Sequence, residues 1–492
     1  MDLPSLPREI VGKCIFLVGA KGTGMTALAE ILASRGAHLE GSDVADVFYT
    51  DEILAKIGLR LHVGFDPGAL PTDCVLVIHS AAYSRGENPQ LVEASRRGLP
   101  ILSYPEALGA LSRGQPSAGI SGVHGKTTTT ALAGAIAREI GLSATVLAGS
   151  AVSSFGGRST MIAGTDLLIA ETCEYRRHFL NFTASRIVLT SVEPDHQDFY
   201  PHYEDIAQAF EDYVRSLHYR GGLVWCADDA GADDVAHRAL AARPDIRSIP
   251  YGEKATGPWR LLSYATDEGS ARFRLAGFDA TFEIHVPGKH LALDAIAAMA
   301  LCFDLAEEHA QGRFNQFEFV EKAARAIAAF GGSKRRSELL GEAGRVVFMD
   351  DYGHHPTAIA KTLEGVRAFW PSRRIVLDFM SHTYSRTKAL LDEFAASLDL
   401  ADEVIIHEIY ASARETKDPA VSGELLAEGV RARAEVARHR GRVSYFEKTF
   451  DALAYLESNL SPGSLFLTMG AGDNWKLGEA LFRSFSLRGE AR

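Results

Sequence analysis

Short, strongly apolar runs recur along this chain, and most are followed by a segment with apolar residues at helical spacing. "CIFLVGA" (14–20) leads through "KGTG" into "MTALAEILASRG" (25–36), and "HLEGSD", "CVLVIHSAA" and "PILSY" (100–104) continue the first block. "LLIAET" (167–172) and "RIVLTSV" (186–192) carry a second block, and "RVVFMDD", "RRIVLDF", "DEVIIHEIY", "RVSYFEK" and "SLFLTMGAG" carry a third. A strand apolar at nearly every position is buried on both faces, and a helical segment behind it is the crossover that parallel pairing requires. The chain is therefore read as α/β in three blocks. One stretch departs from this pattern. "ARFRLAGFDATFEIHVPG" (271–288) alternates polar and apolar residues about a glycine, as an antiparallel hairpin does, and "HLALDAIAAMALCFDLA" behind it reads as a buried helix.

At 492 residues the chain exceeds what one core supports, so the blocks are expected to be separate domains. Their boundaries are placed in the glycine- or proline-bearing polar stretches "LSRGQPS" and "FGGSKRR", giving domains 1–112, 113–332 and 333–492. The formal charge of −12 argues against nucleic acid or an anionic membrane as a partner, so an anionic small molecule needs a local basic pocket. Five scattered cysteines with no Cys-x-x-Cys pair fit a reducing compartment and no zinc knuckle. No run is apolar enough to span a bilayer, and the N-terminal apolar segment has no basic region before it. The expected location is cytoplasmic.

"SGVHGKTTTTALAG" (121–134) places a glycine turn and a lysine at the head of a helix. Backbone N–H groups and the positive end of the helix dipole would converge there on a phosphate. Gly122, Val123, His124 and Gly125 form the loop, Lys126 supplies a point charge, and Thr127, followed by Thr128, offers a hydroxyl to Mg²⁺. The general phosphate-loop pattern asks for glycine at position 120, which is isoleucine here, and a threonine-rich helix cap is the competing reading. Carboxylates and other possible ligands at neighbouring strand ends strengthen the case for a nucleoside triphosphate with magnesium: Glu171, then Glu193, Asp195, His196 and Asp198.

"VGAKGTGM" spaces Gly19, Gly22 and Gly24 as G-x-x-G-x-G, and Asp43 follows at the distance where an acidic residue meets a ribose. A second diphosphate-bearing ligand or close helix–strand packing would each explain it. In the third block, Asp350, Asp351, His354 and His355 end one strand, and His382, Arg386 and Lys388 end another. With Lys334, Arg335 and Arg336 they suit anchoring of phosphate and carboxylate better than a zinc site.

Together "GAKGTGM", "GVHGKTTTT", "AETCEY", "VEPDHQDFY", "VPGKH", "FGGSKRRSELLGE", "DDYGHHPTAI", "SHTYSRTKALLDEF", "EIYASARE" and "MGAGDNW" resemble the Mur ligase family along nearly the whole chain, in its alanine-adding branch. The resemblance implies a Rossmann-like N-terminal domain, a central P-loop ATPase-type domain whose mostly parallel sheet carries an added antiparallel hairpin, and a C-terminal Rossmann-like domain. It implies an ATP-dependent, ADP-forming ligase of peptidoglycan precursor synthesis. That enzyme would join L-alanine to the lactyl carboxylate of UDP-N-acetylmuramate through an acyl phosphate, using ATP and two Mg²⁺ ions, as a monomer or homodimer. By the same likeness, Gly22, Thr23, Gly24, Asp43, His79 and Ser80 would hold the UDP-sugar. ATP would lie on residues 122–128, His290, Asp294 and Arg336, with metal on Thr127, Glu171 and His196. Lys126, His196, Arg336 and Asp351 would be catalytic, and His382 and Arg386 would line the amino-acid side of a third domain that closes over ATP.

This chain departs from the family's pattern in three places. Leu291 and Asp294 stand at the usual asparagine positions, Cys173 stands before Glu174 with Arg176 and Arg177 after it, and Ser381 replaces a common proline. A carboxylate at 294 accepts hydrogen bonds but cannot donate as an amide does. A ligase that attaches a recycled tripeptide to the same sugar, and a nucleotide-gated binding paralogue, are the alternatives these changes leave open.

Overall fold

The computed structural model describes residues 6–7, 9–197, 199–310, 312–411, 415–437 and 442–490. Asp198 and residues 412–414 of "EIYASARE" lie outside the described residues. The chain forms two compact units. One holds residues 1–262, 275–280 and 293–327, and the other residues 263–274, 281–292 and 328–492.

Two sheets lie in the first unit. Cys14–Val18, His38–Asp43, Arg60–Val63, Cys74–His79 and Ile101–Ser103, numbered β1 to β5, form an all-parallel sheet in the order β3-β2-β1-β4-β5. Every residue of β1 is buried, as an apolar run flanked by two strands and covered by helices must be. Ser117–Ser121, Ala144–Val152, Arg158–Ile162, Leu167–Glu171, Arg186–Leu189, Gly222–Cys226 and Arg247–Tyr251, β6 to β12, form the second sheet in the order β12-β11-β10-β6-β9-β7-β8. It is parallel except for β8, which runs antiparallel to β7.

The alternating stretch forms the expected hairpin. Ser270–Leu275 (β14) pairs antiparallel with Thr281–Ile284 (β15), and Leu261–Asp267 (β13) makes the sheet three-stranded. The helix Lys289–His309 behind it is buried through Ala295, Ile296 and Met299. In the second unit, Glu338–Ala343, Val346–Asp351, Arg374–Met380, Glu403–His407, Val443–Phe446 and Ser464–Gly470 (β16 to β21) are ordered β16-β17-β21-β18-β19-β20. Only its edge strand β16 is antiparallel.

Several strands carry no apolar run and escape a reading by pattern. β3, β12 and β16 are edge strands whose residues are mostly exposed or half-buried, so "RLHV", "RSIPY" and "ELLGEA" have little need of apolar side chains. β7, "ATVLAGSAV", is built of small residues that suit close packing but give no strong signal. No helix among the described residues is long and apolar enough to cross a membrane, and all five cysteines are free.

Candidate active site

The phosphate loop follows β6. Gly122 and Gly125 sit at φ 138° and 79°, conformations open to glycine, and a side chain at 125 would also press on Asp294. The helix Lys126–Ile140 starts at once, so its first N–H groups face the loop. Lys126 Nζ donates to the Gly122 and Val123 carbonyls and pairs with Glu174 at 3.0 Å. Burial alone would lower the Lys126 pKa, but the charges of Glu174 and Glu171 outweigh it and raise it. The lysine is thus a fixed cation at the mouth of the loop.

Strand ends supply the acids. Glu171, at the end of β9, accepts hydrogen bonds from Thr127 Oγ1 at 2.7 Å and from Gly149 N at 2.8 Å. His124 N donates to Ser191 Oγ at 2.9 Å, and the His124 ring pairs with Glu193, so the segment after β10 lies against the loop. Thr128 is buried in the first turn. Beyond β10, His196 adopts φ 53° and brings Nε2 to 3.3 Å from Glu174 Oε1. Burial works against a charged His196 ring, yet the Glu174 hydrogen bond and the Asp195 charge raise its pKa. Glu174, Asp195 and His196 offer ligand atoms within 4.8 Å of one another. With Thr127 and Glu171 this is a set dominated by hard oxygen donors, which fits Mg²⁺.

Glu174 is the participant that a reading of the sequence passes over. It is 2% exposed and accepts from both Lys126 and His196. Burial pushes its pKa up, but the Lys126 charge and the His196 hydrogen bond bring it below the usual carboxylate range. Its one signal is a second acid three residues beyond a strand-end acid in "AETCEY".

Asp294 lies against the phosphate loop, where a Cβ on Gly125 would stand 2.5 Å from its Oδ1. It is 6% exposed and accepts a hydrogen bond from Thr129 Oγ1 at 3.1 Å, which braces the helix that carries Lys126. Asp294→Ala is expected to raise the KM for ATP about five- to tenfold with little change in kcat, the effect of losing one hydrogen bond to a charged acceptor. Steady-state kinetics at varied ATP checks this, and an unchanged KM would count against the brace.

In the first sheet, the sugar-nucleotide candidates meet at the ends of β1, β2 and β4. The β1–β4 junction, where strand order reverses, is where open α/β sheets bind ligands. Gly22 caps the helix Thr23–Ser34, and Thr23 Oγ1 lies 3.1 Å from Tyr49 Oη. A Cβ on Gly24 would stand 2.8 Å from the Tyr104 ring. Asp43 accepts from Lys21 N and Val44 N, each at 2.7 Å. His79 Nδ1 lies 2.9 Å from the Ser80 carbonyl, and burial, aided by Arg85, lowers its pKa.

In the second unit, Asp351 accepts from Ser337 N and Gly353 N at 2.7 Å each, which places Arg336 with its guanidinium 5.0 Å from the Tyr352 ring centre. The His382 ring centre lies 6.2 Å from His354 and 6.1 Å from Tyr410. Burial and the charge of Arg386 hold His382 below its ordinary pKa. His290 is the second residue of the helix that follows Gly288, whose φ is 122°.

A glycine loop at a strand-order reversal, a lysine phosphate loop and strand-end acids define a nucleotide-dependent enzyme that handles anionic substrates. Models of the Mur ligase family match the chain at residues 15–116 (catalytic domain), 120–302 (middle domain) and 335–472 (glutamate ligase domain). The chain belongs to the Mur ligase family. It is 50% identical over 485 residues, 99% of each chain, to the UDP-N-acetylmuramate–L-alanine ligase of Treponema pallidum. It is 38% identical over 477 residues to that of Desulfitobacterium hafniense, covering 95% of this chain and 99% of the relative. The crystal structure of UDP-N-acetylmuramate–alanine ligase from Thermotoga maritima shares the fold, with a TM-score of 0.75 and 22% identity over 97% of this chain and 99% of that one.

Proposed function

We infer that this chain is an ATP-dependent ligase that forms the amide between L-alanine and the lactyl carboxylate of UDP-N-acetylmuramate. The observation that carries this reading is end-to-end similarity to alanine-adding ligases at 50% identity, in a chain whose Lys126 loop and strand-end acids suit phosphoryl transfer. The domain assignment follows it: 1–112 for the UDP-sugar, 113–332 for ATP, and 333–492 for the amino acid, the last through His382 and Arg386.

A carboxylate is a poor electrophile toward an amine. Attack of the lactyl carboxylate oxygen on the γ-phosphorus of ATP gives an acyl phosphate and ADP. The alanine amine then adds to the acyl carbon, and phosphate leaves from the tetrahedral intermediate. Little of this is covalent work for the protein, so placement and charge supply most of the acceleration. Lys126 and the N–H groups of residues 122–127 orient the polyphosphate, and Arg336 and Asp351 are assigned to the nucleotide from the third domain. Thr127, Glu171, Glu174, Asp195 and His196 would hold Mg²⁺, which when bound screens the charge of the transferring phosphoryl group. His196, hydrogen-bonded to Glu174, is assigned a catalytic role beside the metal.

Phosphate release with ATP and UDP-N-acetylmuramate is the test, run against L-alanine, glycine, L-serine and a tripeptide. Release is expected to be fastest with L-alanine. Release with the tripeptide alone would transfer the protein to peptide recycling, and none with any acceptor would leave a binding protein.

A further inference from the structure

The helix that carries Arg386 is too short to hold itself. Tyr384–Ala389 is six residues long, and helices well below about 12 residues are marginal in water, so its direction is set by what caps it. The residue before it, Thr383, adopts φ 67° and ψ 137°, a conformation that a β-branched side chain disfavours. Such strain persists only where the surroundings over-determine it, and these positions cluster at ligand contacts and switch regions.

One part of the determination is backbone. Thr383 N donates to the Tyr410 carbonyl at 3.1 Å and Tyr410 N to the Ser381 carbonyl at 2.9 Å, which ties the end of β18 to the segment after β19. The other part is Glu415. Its carboxylate accepts from Tyr384 N at 2.7 Å and from Ser385 N at 2.9 Å, one N–H on each oxygen. Burial raises the Glu415 pKa, but these hydrogen bonds bring it below the usual carboxylate range. Beneath the turn, Tyr384, Ile409 and Val421 form a small apolar cluster of their own, with Leu391 against it. So small a cluster fixes the turn weakly, which leaves more of its order to the hydrogen bonds of Glu415. The other ion pair between the two segments, Lys388 with Asp418, is exposed and adds little. On the near side of the strained residue, His382 packs its ring toward Tyr410, and its Nδ1 has no hydrogen-bond partner among the described residues.

We propose that Glu415 is a positioning residue for the amino-acid side: it fixes the start of the short helix, and through it the direction of Arg386 and the place of His382, so that the incoming alanine is held in one orientation. Glu415 touches no substrate in this assignment and acts through those two residues. This rests on the reading of the chain as an alanine-adding ligase whose amino-acid side is lined by His382 and Arg386. The phosphate loop and the glycine loop belong to the other compact unit, so the loss of Glu415 is expected to be felt by one substrate of the three.

The test is steady-state kinetics on the full chain with ATP, UDP-N-acetylmuramate and L-alanine varied in turn, beside trapping of the acyl phosphate with hydroxylamine in the absence of alanine. Glu415→Ala is expected to raise the KM for alanine about ten- to a hundredfold, the effect of losing hydrogen bonds to a charged acceptor. The KM values for ATP and the UDP-sugar should stay within about twofold of wild type, because their binding is not in the altered segment. Trapped acyl phosphate should match wild type. Glu415→Gln keeps the reach and one acceptor oxygen, so its alanine KM should rise only about three- to tenfold, and it carries the test if Glu415→Ala does not fold. A rise in all three KM values together, or a loss of trapped acyl phosphate, would make Glu415 a general support of the fold and overturn the assignment. So would an alanine KM that neither substitution moves. Wild-type protein that turns over no alanine would instead overturn the functional reading and this assignment with it.

Discussion

Lys126→Ala is expected to lower ATP-dependent ligation by about a thousandfold or more while UDP-sugar binding persists. The magnitude is that of removing a fixed cation from a phosphoryl-transfer site. The lysine's ammonium lies at the start of the loop helix and is paired with a carboxylate that is 2% exposed. Removing the cation leaves Glu174 buried with the His196 ring as its remaining side-chain partner among the described residues, so a stability loss of about 3–5 kcal/mol accompanies it. The two effects separate through a second variant, Lys126→Ala with Glu174→Gln, which removes the buried charge. Its melting temperature should recover toward wild type and its turnover should not. Calorimetry with the UDP-sugar checks the rest, because the glycine loop at Gly22–Gly24 belongs to a different sheet from Lys126. If sugar binding disappears along with turnover in a folded variant, the division of labour between those sheets is wrong.

Asp304→Ala is expected to lower the unfolding free energy by about 3–5 kcal/mol without touching the phosphate loop. Asp304, 6% exposed, accepts from Arg247 at 2.6 and 2.9 Å and pairs with Arg186, itself 3% exposed. The substitution strands Arg186 in the interior. Its remaining carboxylate partner among the described residues, Glu308, is 59% exposed, and water screens that pair. Asp304→Asn keeps an acceptor and should lose less. Urea melts of the three proteins decide it, and a midpoint for Asp304→Ala equal to wild type would mean that the cluster contributes nothing to stability.

Those two clusters differ in how legible they are in the linear order of residues. Gly122, Gly125, Lys126 and Thr127 declare themselves because a phosphate loop needs those residue types within a few positions of each other. Glu171 does too, as the acid closing an apolar strand. Glu174 stands out only as a second acid three residues beyond Glu171, since nothing local says that its side chain turns inward to meet Lys126, 48 residues away. Asp294 is conspicuous as an odd residue at an asparagine position. That it braces Thr129 across 165 residues depends on the helix Lys289–His309 lying against the loop helix. Arg176 and Arg177 look alike in "YRRHF", yet one anchors a turn to Asp212 and the other projects from it.

The α/β class, the central strands, the hairpin at 271–288 and both glycine loops follow from the order of residues alone, because apolar periodicity and backbone freedom act within a few positions. Strand order, the polar edge strands and the choice of which charges meet arise only when the chain is folded. Burial and electrostatic pairing are properties of segments brought together from distant parts of the chain, and a carboxylate carries no mark of its partner until both have left water.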